Sequence, residues 1–429
     1  MRILIVTQYF FPENFRINDL AIEFQRRGHA VTVLTGLPNY PAGTFLSGYS
    51  LRGPYRERYE GVDVIRSPLM PRGAGGSGRL ALNYLSFVVM ATLRGLLTCQ
   101  KNFDVIFIHG ASPVMVAIPA IVIKFMIQAP VILWVLDLWP ESVSATQAIR
   151  SPRVLQWIER MVRFIYRHCD RILVQSRAFV PHVEQQGVSP EKVLYLPSWA
   201  ETVYEAVGAQ APVSVTVRLP EGFRVMFAGN VGVAQDFETI LTAAECLKLR
   251  RDIHWIIIGD GRMLSWVQAE VERRQLAGTV HLLGRYPLEA MPAFFAQADV
   301  LLVTLRRASI FALTIPGKVQ SYLASGRPIV GALDGEGARI IQEAGAGVVC
   351  PAECPDALAD AVVRLAETPR ETRESMGRRG AEYYAAHFDR AMLFDQLERW
   401  MQELAEMRGG ARLPAASESA LSSERGRLS

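Results

Sequence analysis

The segment IFALTIPGKVQSYLASGRPIV, residues 310–330, gathers the residue types best suited to binding a phosphate. It reads as a turn, a helix opening beside Lys318, Gly326 as a stop, and a buried strand from Pro328. The first amides of a helix have no partner inside it, and a lysine beside them adds a full positive charge. Further groups extend the pattern. Gly259 and Gly261, in G-D-G, permit close backbone approach to an anion or a sugar. Arg285 and Tyr286 follow the apolar run VHLLG and offer planar groups for stacking on a base. Glu336 sits in the glycine-flanked loop DGEGAR, where a carboxylate can contact the ligand. His109 ends an apolar run. Asp137 and Glu141 in DLWPES place paired carboxylates beside Trp139, which suits orienting or deprotonating a sugar hydroxyl. Asn14 and Arg16 precede the first helical pattern, where amides can meet a donor phosphate.

These residues fall at the ends of apolar runs that alternate with helical patterns. Strands are predicted at 3–7, 30–35, 62–67, 105–109, 131–137, 171–175 and 193–196, with helices between them. Trp199–Glu221 has no periodicity and reads as a linker. A second series of strands is predicted at 224–228, 254–259, 280–283, 300–304, 329–332 and 347–349, followed by helices at 357–367 and 370–400. Alternation of this kind, with continuous apolar strands, predicts parallel sheets covered on both faces. The fold class is therefore α/β, with two doubly wound, Rossmann-like domains facing a central cleft. The predicted division is 1–200, 201–385, a helix at 386–408 crossing back to the first domain, and a disordered tail at 409–429. In such sheets ligands bind at the carboxyl ends of the strands.

Composition narrows the function classes. Half of the 429 residues are hydrophobic and 21% are charged, enough for two cores. Five cysteines are an odd number for so large a chain and argue against a disulfide framework. Cys350 and Cys354 are spaced C-x3-C but lack nearby His or Cys partners, so no metal is expected. MRILIVTQYFFP reads as a first strand rather than a leader, and no run of 18 uninterrupted apolar residues is present. The net charge of +4 is uneven: residues 1–200 hold 3 Lys and 18 Arg against 5 Asp and 8 Glu, a balance of +8. An Arg-rich half with apolar helices at 80–98 and 114–127 suits anionic lipid head groups. Scattered basic residues without a recognition motif argue against nucleic acid. No G-x-G-x-x-G follows the first strand, which argues against a dinucleotide-dependent oxidoreductase.

The order of several motifs resembles that of GT-B-fold, family 4 retaining glycosyltransferases. The matching segments are MRILIVTQYFFPE, RRGHAVTVLTG, FAGN at 227–230, IIIGDGRMLSWV, the run from Val280 to Arg306, and the Lys318 helix. LPNYPAGTFLSGY at 37–49 and DLWPES at 137–142 are similar to the N-acetyl-L-fucosamine transferases of O-antigen and capsule assembly. The resemblance implies a nucleotide-sugar donor, UDP-linked, on the second domain. It implies a polyprenyl-diphosphate-linked glycan acceptor on the first, retention of configuration, and a cytoplasmic enzyme held peripherally at the inner face of the membrane. It also implies that His109 touches the transferred sugar, and with Asp137, Glu141 and Lys318, read from their own chemistry, this gives the catalytic set. The implied donor-binding set is Asn14, Arg16, Asn230, Gln235, Gly259, Gly261, Arg285, Tyr286, Ser321 and Glu336. No cofactor is implied. The family's diphosphate-binding Arg and Lys are replaced here by Asn230 and Gln235, and its glutamate pair by Leu313 and Ser321. Lys318, Arg285, Arg306 and Arg307 are candidates for the missing charge, and Glu336 for the missing carboxylate. Two alternatives remain: a nucleotide-sugar epimerase of the same fold and a non-catalytic partner in a polysaccharide-assembly complex.

Overall fold

The computed structural model describes residues 1–73, 76–145, 149, 151–204 and 217–411. The first domain is built on an eight-stranded sheet. Its strands are β1 (Arg2–Val6), β2 (Ala30–Gly36), β3 (Arg56–Tyr59), β4 (Val62–Ser67), β5 (Val105–Gly110), β6 (Val131–Val135), β7 (Arg171–Val174) and β8 (Val193–Tyr195). Their spatial order is β3-β4-β2-β1-β5-β6-β7-β8. The second sheet has six strands: β9 (Phe223–Ala228), β10 (Ile253–Ile258), β11 (Val280–Gly284), β12 (Val300–Thr304), β13 (Ile329–Ala332) and β14 (Gly347–Cys350). Their order is β11-β10-β9-β12-β13-β14. All pairs are parallel except β3 with β4. Helices cover both faces, which is why β5, β6 and β10 are buried along their whole length.

Strand order reverses beside β1 in the first sheet and beside β9 in the second. Loops leaving neighbouring strands diverge at such points and open a crevice at the carboxyl ends. The loops after β1, β5, β9 and β12 carry the predicted site residues into that region.

The chain passes from one core to the other within two residues: Trp199 is packed in the first domain and Ala200 in the second. It returns at Phe388. The single helix predicted at 370–400 is two helices, Arg370–His387 and Arg390–Ala411, separated where Phe388 turns into the second core. The last helix lies on the first domain, burying Leu393, Phe394, Leu397 and Met401 against Ile17, Leu20 and Phe24. Arg390 pairs with Asp19 at 2.7 Å and Arg27 with Glu398 at 2.8 Å. That helix runs to Ala411, past the boundary predicted at 408. Residues 412–429 of the predicted tail and residues 205–216 of the predicted linker lie outside the described residues.

The two lobes also touch across the cleft. Residues 309–313, read as part of a turn, form the short helix Ser309–Leu313, which packs beside helix Glu141–Ala145 of the first domain. Ile310 is buried within the first domain's core cluster, and Phe311 and Leu313 pack against it. Leu313, where the family carries a glutamate, thus makes an apolar interdomain contact. Among the described residues one helix, Gly78–Thr98, is long and apolar enough to cross a membrane by length and composition. It lies along the first domain, turning Asn83, Phe87 and Ala91 inward.

Candidate functional site

Helix Gly317–Ala324 starts directly after Pro316. Lys318, in its first turn, folds back beneath the loop that leaves β9. A Cβ on Gly229 would lie 2.7 Å from Lys318 Cε, and Gly229 has φ +138°, so both space and backbone require glycine there. The Lys318 ammonium stands 3.6 Å from the centre of the Phe227 ring and donates to Gln235 Oε1. Among the described residues no carboxylate lies within 4 Å of it. Burial pushes its pKa well below the ordinary lysine value. A desolvated cation held by neutral groups alone is costly, and an anion placed beside it removes that cost.

A second cation arrives from the other domain. Arg16, at the start of helix Arg16–Arg26, places Nη2 3.6 Å from where a Cβ on Gly317 would be. Its guanidinium donates to the carbonyl of Trp199 and pairs with Glu201 at 3.1 Å. The other oxygen of Glu201 accepts from Ser321 Oγ at 2.7 Å. The segment crossing between domains therefore delivers a carboxylate to Ser321. Glu201 is not among the sequence-predicted residues and stands 120 residues from its partner. A carboxylate two residues after Trp199 in PSWAE is the only local trace of it.

Other donor-side candidates are placed differently. Gly259 and Gly261 are fitted to the chain's own backbone. A Cβ on Gly259 would lie 1.8 Å from the carbonyl oxygen of Gly229, and one on Gly261 2.3 Å from that of Val231. Their amides are already used, donating to Gly284 O at 2.8 Å and Asp260 Oδ1 at 2.7 Å. Asn230 is exposed, wedged against Gly232 and Gly261. Arg285 is exposed at the end of β11, and Tyr286 packs edge-on against Phe294 at 4.7 Å. Glu336 opens helix Glu336–Glu343 beside Pro316, with its carboxylate held by Arg339 at 2.9 Å. Arg306 and Arg307 face carboxylates, Glu353 at 3.7 Å and Asp334 at 3.6 Å. Of the cations proposed to replace the missing pair, Lys318 is the one at the helix start without a counter-charge.

The first domain's candidates gather around the ends of β5 and β6. His109 is 3% exposed, with Nδ1 3.2 Å from Thr7 Oγ1. Burial drives its pKa down to about 3, so it is a neutral hydrogen-bonding group and not a proton carrier near pH 7. Asp137 accepts from Ser142 Oγ and from Trp139 Nε1, the latter at 3.3 Å. Its pKa lies above the usual range because burial outweighs those hydrogen bonds. Glu141 Oε1 is 3.4 Å from His182 Nδ1, and Oε2 is buried without a hydrogen-bond partner among the described residues. Asn14 is exposed beside Glu13, a residue that was not predicted. Glu13 is 2% exposed and accepts from the amides of Phe10, Asn39 and Tyr40. It fastens the loop after β1 to the 37–49 motif.

Comparison with known proteins places this geometry. Residues 14–199 match the family described as Glycosyl transferase 4-like domain, and residues 222–368 match Glycosyl transferases group 1. A Pseudomonas aeruginosa protein named as a glycosyltransferase, WbjE, is 28% identical over 279 residues, covering 63% of this chain and 68% of that protein. WcaI of Escherichia coli K12, named as a colanic acid biosynthesis glycosyl transferase, is 25% identical over 344 residues, covering 76% and 82%. Among solved structures, Anabaena HepE in complex with UDP matches with a TM-score of 0.65 at 13% identity, over 94% of this chain and 100% of that one. The UDP-forming α,α-trehalose-phosphate synthase of Burkholderia vietnamiensis matches with a TM-score of 0.72 at 15% identity, over 94% and 98%. The predicted two-lobed GT-B fold is the observed one.

Proposed function

We infer that this chain is a GT-B glycosyltransferase that moves a sugar from a UDP-sugar to a lipid-linked glycan during assembly of a bacterial surface polysaccharide. The observation carrying this reading is Lys318: a desolvated cation at a helix start, held by the Phe227 ring and Gln235, with no carboxylate within 4 Å among the described residues. A diphosphate seated there meets the Lys318 ammonium, the Arg16 guanidinium and the first amides of helix Gly317–Ala324. When the bond between the sugar and the diphosphate breaks, negative charge grows on the leaving oxygen, and preorganised cations stabilise that charge. In this reading the protein's own cations do this work without a divalent ion. Glu201, joined to Ser321, brings a carboxylate to the place of the family's second glutamate and accepts hydrogen bonds from the ribose hydroxyls. The acceptor hydroxyl is oriented from the first domain by Asp137 and Glu141, with His109 as a neutral partner. No enzyme nucleophile is assigned, and retention follows the family resemblance. The match to WcaI supports a role in polysaccharide assembly. The motifs at 37–49 and 137–142 support O-antigen or capsule assembly at the cytoplasmic side of the membrane, with a hexosyl or N-acetylamino sugar transferred.

The test is a panel of UDP-sugars incubated with polyprenyl-diphosphate-linked acceptors. Release of UDP that depends on acceptor is the expected result. Conversion of the UDP-sugar without acceptor would identify an epimerase, and UDP binding with no turnover on any pair a non-catalytic partner.

A further inference from the structure

Three neighbouring helices on one face of the first sheet leave an apolar surface uncovered. Helix Ser77–Thr98 carries Leu82, Leu85, Val89, Leu93 and Leu97 on its outer side, between 49% and 83% exposed. Their three- and four-residue spacing forms one stripe, opposite the inward Asn83, Phe87 and Ala91. Helix Ala117–Ile127, packed beside it, adds Phe125 at 58% exposed. Helix Pro152–His168 follows with Trp157 at 57% and Phe164 at 41%. The rings of Phe125 and Phe164 both meet His168, at 5.5 and 4.3 Å, so the second and third helices share one patch. The third helix alternates these aromatics with exposed Arg153, Arg160, Arg163 and Arg167. Its one acid, Glu159, is taken by Arg163 at 2.5 Å.

We propose that this face docks on the surface of an anionic lipid bilayer. Leucines and aromatics enter the boundary between head groups and acyl chains, while the arginines reach lipid phosphates. A second copy of the chain is the weaker occupant, because a two-fold contact would set the arginine rim against itself. The inference rests on the reading of the acceptor as lipid-linked, and the geometry suits it. Asn83 of the docking helix accepts from Gln8 Nε2 at 2.7 Å, and Gln8 lies in the loop after β1. Docking therefore holds the first domain's carboxyl edge close to the membrane.

The experiment is co-sedimentation of the full chain with vesicles of phosphatidylglycerol and phosphatidylethanolamine, compared with phosphatidylcholine alone, with UDP binding measured in parallel. Wild type is expected to sediment with the anionic vesicles and to be released by salt. The double variant Val89→Asp/Leu93→Asp and the triple variant Arg153→Glu/Arg160→Glu/Arg167→Glu should each lower partitioning about tenfold or more. Both should bind UDP as wild type does. Wild type left in the supernatant, variants that sediment as wild type does, or a lipid-free dimer dispersed by the aspartates would each overturn the proposal. Absence of UDP binding in wild type would instead remove the transferase reading and leave the docking result standing.

Discussion

Each sheet carries a buried ionisable group at its carboxyl edge, and the two are accommodated in opposite ways. Glu13, on the first domain, has three backbone amides of its own chain, at 3.3, 2.8 and 2.7 Å. Lys318, on the second, has one amide oxygen and the face of a ring. Both are desolvated, and burial moves both toward their neutral forms. The contrast separates two uses of a buried charge. One whose hydrogen bonds are completed inside the chain fixes loops in place. One that lacks an opposite charge marks where a ligand supplies it.

That contrast breaks most sharply at Lys318. Lys318→Met should lower acceptor-dependent transfer by about a hundredfold or more, as for loss of one transition-state charge stabiliser. Steady-state rates with saturating UDP-sugar measure this, and thermal unfolding should move little. Glu13→Ala should give the reverse pattern. It leaves three buried amides without an acceptor, costing about 2–4 kcal/mol of stability in denaturant unfolding, while UDP affinity on the second domain holds. Next in size is Glu201→Gln. It should weaken UDP binding about three- to tenfold and abolish discrimination against the 2′-deoxy nucleotide. Equal discrimination in wild type and variant would remove Glu201 from the ribose site.

The stability of the first domain also carries a pH dependence through Glu13. Burial raises its carboxyl from 4.5 to about 7. Between those values the folded chain keeps a proton that the unfolded chain has lost, so its contribution to stability is full below about 4.5 and falls as pH rises through about 7. Glu13→Gln should flatten that segment of the stability–pH curve, measured by urea unfolding at closely spaced pH values.

Much of this arrangement is legible in the sequence. The parallel strands are continuous apolar runs, so they stand out. Strand β3 does not, because RERY is a charged edge strand, held through the ion pair between buried Arg66 and Glu57. Helices Glu141–Ala145 and Ser309–Leu313 are five residues each, too short for periodicity, and they pack against each other across the domains. The break at Phe388 escapes because helical patterns continue on both sides of it. In the site, Lys318 is visible from its place at a helix start. Gly259 and Gly261 signal a close approach without saying what approaches, and the neighbour is the chain itself. Glu201 shows only as a carboxylate after Trp199, because spacing along the chain does not encode a contact made 120 residues away by the fold.

The central claim is that Lys318 is the ammonium a nucleotide diphosphate neutralises. Calorimetric titration with UDP, repeated over a series of pH values in buffers of different ionisation enthalpy, tests it directly. Its depressed pKa predicts proton uptake on binding, an affinity that falls as pH rises through that pKa, and loss of both effects in Lys318→Met. UDP binding of unchanged strength and proton balance in Lys318→Met would contradict the account.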